Sequence, residues 1–171
     1  YDIPDAIDTF LSDVYTEFGK ERYTYVPGST SGGLVLYGDG KFAYSNHGTD
    51  PAAGQLCNAF DLVRLHLFGD KDKGSKATNI THMPSYVAMC DLAVADKQVK
   101  RQLAKERASA AQDFAGEDLT QYADEDTSWQ DNLELSKKGK ILPTRDNLVI
   151  ILEHDPVLKD AIAFNQLEGV E

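Results

Sequence analysis

No stretch of this sequence stays apolar for anything near the roughly 20 residues a membrane-spanning helix needs, and none reads as a signal peptide. A soluble, cytoplasmic protein is expected. Cysteine is almost missing: Cys57 and Cys90 lie far apart, in sequence that reads as helical. Two isolated thiols make no disulfide framework, and they are expected to be reduced and buried. Basic residues are also short, 17 Lys and Arg against 28 Asp and Glu, for a formal charge of −11. DNA backbones are bound by lysine and arginine displacing counterions, so this balance excludes a general non-specific DNA binder. A local basic face is still allowed.

What the chain does have is a core. Its 171 residues are 42% hydrophobic, enough for one ordinary domain with a small appendage. Residues 32–69 form its centre. Two β-prone runs, Leu34–Tyr37 and Phe42–Tyr44, flank Gly38-Asp39-Gly40-Lys41, a strong hairpin signal because glycine supplies the positive φ of tight turns. A Gly- and Pro-containing loop follows. Asn58 then caps a helix through Phe68, and Gly69 is expected to stop it in a left-handed conformation. Phe60 and Val63 of this helix are expected to be buried against the hairpin.

Before the hairpin, Ile7, Phe10, Leu11, Val14 and Phe18 recur every three or four residues and predict an amphipathic helix over Pro4–Phe18, ended by Gly19. Arg22–Val26 reads as a strand. After it, Asp70–Thr81 is polar and aperiodic, an expected mobile loop. Helices are predicted from Pro84 to about Ala95 and, capped by Asp96, on to Phe114. The segment from Gly116 to Leu135 has no lysine or arginine and reads as an acidic linker around a short helix anchored by Trp129. A tail follows: a strand at Ile141–Leu142, a helix capped by Thr144, and a second strand at Ala161–Phe164. The expected fold is α+β, a small antiparallel sheet packed by helices with a C-terminal helical tail unit. The expected domains are a core at 1–115, a linker at 116–136 and a β-α-β tail unit at 137–171.

The run YSNHGTDPAAGQLCNAFDLVRLHLFGDKD resembles a segment of the virulence-associated protein E family, replication proteins of phages and genomic islands. The pieces RYTYVPGSTSGGLVLY, SYVAMCDLAVAD and GKILPTRDNLVIILEHDPVLKDAIAFNQLEG are similar to the same family. In that family this region lies upstream of a P-loop helicase domain. The resemblance implies a mobile-element origin and a role near DNA replication, with a helicase or primase as partner.

Chemistry-bearing motifs are few. Gly28-Ser29-Thr30-Ser31-Gly32-Gly33 is glycine-rich but lacks the lysine a P-loop needs after it. Paired carboxylate motifs of a primase active site are not found either. The hairpin-then-helix order is similar to the zinc ribbon of bacterial-type primases. Its ligands are missing, since a structural site needs four Cys or His in close pairs and only His47, Cys57 and His66 are present. No catalytic residue, metal or cofactor is expected. The candidate binding residues are Lys41 and Tyr44 on the hairpin, His47 and Asp50 on the loop after it, and Lys100, Arg101 and Lys105 on the basic helix. His47 is expected to be exposed beside Asp50, on a loop stiffened by Pro51. Against that stands a purely structural role, with Asp50 bonding turn amides and His47 packing over the hairpin. Tyr37, Phe42 and Tyr44 can stack nucleobases, or serve as core. The leading expectation is a non-enzymatic accessory domain contacting single-stranded DNA or replication partners. The alternatives are an acidic interaction or inhibitor module whose partner has a basic surface, and a catalytic fragment needing a missing half.

Overall fold

The computed structural model describes residues 1–115, 128–156 and 158. The fold is α+β. Contacts between backbone positions divide the chain into two compact units, Tyr1–Met89 and Cys90–Glu171.

The first unit opens with helix α1, Ile3–Phe10, whose N-terminus is capped by the Asp2 carboxylate accepting from the Asp5 amide at 2.9 Å. Ile3, Ala6 and Ile7 are buried on one side of it. The predicted continuation to Phe18 is corrected: the helix ends at Phe10, with Leu11 as its C-cap, and Tyr15–Glu17 is strand β1. Val14, Tyr15 and Thr16 are β-branched or aromatic, and an antiparallel partner is available in β2, Arg22–Tyr25. Gly19, at φ +70°, shapes the turn between these strands rather than a helix stop.

Strands β3 (Leu34–Tyr37) and β4 (Phe42–Ser45) form the expected hairpin, with Tyr37 opposite Phe42. Its turn places Gly38, Asp39 and Gly40 all at positive φ. A short strand, β5 (Leu56–Cys57), pairs with β4 and completes an antiparallel meander in sequential order. Cys57 is therefore a strand residue, not a helical one. It is buried and reduced, whereas Cys90 is reduced but only half-buried.

Helix α2, Ala59–Phe68, is capped by Asn58 as expected. Gly69 is corrected: its φ of −54° is right-handed and carries the chain on into a 3-10 turn over Gly69–Asp72. The inner face of the sheet presents Tyr15, Leu34, Leu36, Ala43, Ser45 and Cys57, all buried. Leu62 and Val63 of α2 are buried with the α1 residues in the same unit, and α1 and α2 touch. Phe60 is corrected from the expected core position, since it is half-buried and meets the ring of Tyr86 at 5.3 Å. Leu62→Ala should therefore cost about 2–5 kcal/mol through lost burial and a cavity, and Phe60→Ala clearly less. Urea denaturation of the two variants checks this, and equal losses would misplace the helix.

Arg64, buried on α2, donates to Asp61 at 3.1 Å and to the Ser85 hydroxyl at 2.9 Å. Ser85 in turn donates to Asp72 through its hydroxyl at 2.6 Å and its amide at 2.8 Å. Part of the loop expected to be mobile is thus tied to the start of helix α3, Pro84–Ala95.

In the second unit, helix α4 spans Lys97–Ala115 and Asp96 accepts from the Val99 amide at its start. Trp129 lies in a 3-10 turn, Ser128–Asn132, and stacks on His154. Helix α5, Arg145–His154, is capped by Thr144. Buried Asn147 accepts from the Glu134 amide and donates to the carbonyls of Glu134 and Leu142, each at 2.8 Å. The expected strand at Ile141–Leu142 is a single bridge from Ile141 to Leu135. The expected strand at Ala161–Phe164 and the acidic stretch 116–127 lie outside the described residues. Among the described residues no helix is long and apolar enough to cross a membrane.

Candidate nucleic-acid interface

The candidate residues fall into three groups with different surroundings. His47 and Asp50 form the first, and the expectation of an exposed histidine is corrected: both side chains are buried. Strands β2 and β3 pair only at Arg22–Val35 and Tyr23–Leu34, and then diverge. Beyond those pairs the amides of Tyr25 and Gly33 have no strand partner, and the Nε2 of His47 accepts from both, at 3.2 and 3.0 Å. Since Nε2 accepts, the ring proton sits on Nδ1, which donates to the Thr30 hydroxyl at 2.8 Å. The imidazole replaces missing ladder bonds.

Asp50 is as fully occupied. Its Oδ2 accepts from the hydroxyls of Tyr15 at 2.7 Å and Ser45 at 2.6 Å, and its Oδ1 from the Ala52 amide at 2.8 Å. His66 reaches Oδ1 at 3.1 Å and the Tyr15 oxygen at 2.8 Å. The one phenolic proton goes to Asp50, so His66 Nε2 carries the proton it shares with them. Burial alone would raise the Asp50 pKa. The bonds from His66, Ser45, Tyr15 and the Ala52 amide outweigh it and bring the carboxyl down to about 2. Burial, and then the adjacent carboxylate, push the Tyr15 phenol far above its ordinary range. A tyrosine, an aspartate and a histidine in contact are the parts of an acid-base catalyst. Here their polar atoms are turned on one another, and general acid-base chemistry needs a proton aimed at a substrate. The cluster is a structural core of polar groups. Sequence reasoning passed over Tyr15 and Ser45 and weighed His66 only as a zinc ligand; nothing local marks Tyr15, 35 positions away, as a partner of Asp50.

The second group is on α4. Lys100 donates to the carbonyls of Asp131 and Leu133, at 2.9 and 3.2 Å. Arg101 grips the Asp131 carboxylate with Nε and Nη2. Two of the three candidate cations are therefore engaged inside their own unit. Lys105 is exposed and has no partner among the described residues.

The third group is the hairpin, and here the surface is open. Strand alternation puts Arg22, Val35, Tyr44 and Leu56 in one cross-strand row on the outer face, with Tyr37 and Phe42 in the next. Tyr37, Phe42 and Leu56 are 51%, 43% and 63% exposed, and Val35 and Tyr44 are half-buried. The loop before β3 closes only the β2 end, where the Gly32 amide donates to Thr24 Oγ1. No family model, curated protein or solved structure matches the chain.

Arg22 is the one charged strand residue on this face; its Nη1 donates to the Gly32 carbonyl at 3.2 Å, and it makes no ion pair among the described residues. Lys41, at the hairpin tip, is likewise exposed and unpaired among them. The nearest carboxylates in sequence, Glu21 and Asp39, sit in the turns at either end. Among the described residues no group of three or more His, Cys, Asp or Glu side chains could hold a metal ion.

Proposed function

We propose that this chain is a non-enzymatic accessory domain of a phage or mobile-element DNA replication protein, contacting single-stranded DNA in the cytoplasm beside a helicase or primase partner. The observation that carries the DNA contact is the outer sheet face: aromatic, open, and cationic within a chain of net charge −11. The replication setting rests on the resemblance of residues 22–37, 44–72, 85–96 and 139–169 to the virulence-associated protein E family.

Contact is local, through Arg22, Lys41 and Tyr44, while His47 and Asp50 take no direct part. Lys100 and Arg101 are held by their own unit and take no part either. Two phosphate contacts imply a salt slope of only about −1.5 for a single strand. Titration of a labelled oligodeoxythymidylate at 50 and 200 mM salt, both chosen conditions on the order of those used for such slopes, should give micromolar binding that weakens about eightfold. Arg22→Glu with Lys41→Glu should abolish it. Absence of binding at the lower salt rejects the reading. The strong acidity supports the other one, an interaction or inhibitor module for a protein with a basic surface.

A further inference from the structure

We propose that the outer sheet face recognises unpaired bases, by stacking them on Phe42 and Tyr44, and not merely the phosphates of a strand. This rests on the single-strand reading above and specifies the chemistry of that site. Phe42 and Tyr44 are two positions apart on β4 and share a face, so their rings rise about 7 Å apart along the strand. Tyr37 lies directly across from Phe42, and Val35 from Tyr44. The position opposite on β3 is thus aromatic for Phe42 and apolar for Tyr44. Beyond Val35 in the same row is Arg22, about two strand spacings, or roughly 10 Å, from Tyr44. A guanidinium at that distance meets the backbone of a strand whose base lies on Tyr44.

Charge selects the occupant. The strand residues of this face carry a cation and no carboxylate, in a chain with 28 Asp and Glu. A second copy of the chain would present the same carboxylate-free face and leave both arginines unpaired. A polyanion with exposed π-faces satisfies the arginine and the aromatics together. Duplex DNA satisfies only the arginine, because its bases are already stacked. Stacking is tolerant of sequence, since every base has a π-face, so pyrimidine and purine strands should bind alike within a few-fold.

The test compares three ligands on the full chain: a deoxythymidylate oligomer, an abasic oligomer of equal length carrying the same phosphates, and a duplex. Stacking predicts that the abasic strand and the duplex bind at least about tenfold more weakly than the oligomer, and that the oligomer quenches tyrosine fluorescence. Phe42→Ala, on an exposed side chain, should weaken the oligomer about tenfold and leave the abasic strand unchanged. Equal affinity for the normal and abasic strands overturns the stacking proposal and leaves the single-strand reading standing. Failure of every ligand to bind overturns both. Self-association of the free protein that Phe42→Ala abolishes would assign the face to a second copy and overturn the proposal.

Discussion

Replacing Asp50 with alanine should cost the first unit about 3–5 kcal/mol, the range for removing one partner from a buried ion pair. Asp50 holds four donors at once: two hydroxyls, an imidazole N–H and an amide. Truncation leaves all four facing a void, and each buried group without a partner carries a desolvation penalty of about 1–3 kcal/mol before relaxation. Asp50→Asn is the informative contrast. Its oxygen can still accept from Ala52 and His66, and the hydroxyls of Tyr15 and Ser45 can turn to accept from its amide. The loss should be smaller. It should also depend on pH with a defined sign, because the folded carboxyl titrates near 2, below its ordinary value of 3.8. A depressed folded pKa contributes stability that is complete above the unfolded pKa and is lost as pH falls toward the folded one. That contribution is about 2–3 kcal/mol at neutral pH. Wild type and Asp50→Asn should therefore differ most above pH 4 and converge toward pH 2. Urea denaturation followed by circular dichroism at several pH values measures this. A difference constant across that window would mean the carboxylate charge plays no part.

The same residues show what local sequence can and cannot reveal. Helix α2 was legible because its signals are local: an Asn58 cap and an apolar run ending at Phe68. The β3–β4 hairpin was legible for the same reason, through Gly38-Asp39-Gly40. Strand β1 was not, because Leu11, Val14 and Phe18 happen to recur at helical spacing while the deciding fact, pairing with β2, lies outside the window. Strand β5 is two residues long and exists only by pairing with β4. His47 and Asp50 were singled out by type and proximity, yet their environment was not readable. Asp50 meets Tyr15 from 35 positions away, and Tyr15 meets His66 across 51. Exposure is set by such distant partners. The aromatic hairpin differs, since alternation along β4 alone separates Phe42 and Tyr44 from Ala43 and Ser45. Which of the two faces the helices cover was the undetermined part.

His47→Ala should cost about 2–5 kcal/mol, and it should open the sheet at one identifiable place. The imidazole accepts from two amides that have no strand partner. Each orphaned amide costs about 1–3 kcal/mol, less whatever entering water recovers, and the vacated ring volume adds a cavity. Hydrogen exchange reports the site directly: the Tyr25 and Gly33 amides should lose protection in His47→Ala beyond the global loss, while the Ala43–Cys57 pairing keeps its rank. Gly33 supplies a second handle. A Cβ there would lie 2.7 Å from Nε2 and 2.8 Å from the neighbouring ring carbons, closer than real contacts allow. The ring is held by three hydrogen bonds and cannot simply swing away, so Gly33→Ala alone should cost about 1–3 kcal/mol. In the His47→Ala background the obstacle is gone, and the same substitution should cost far less. The double-mutant cycle should therefore return a coupling of about 1 kcal/mol or more. Additive losses, with the Tyr25 and Gly33 amides exchanging no faster than their neighbours, would show that the imidazole does not bridge the two strands.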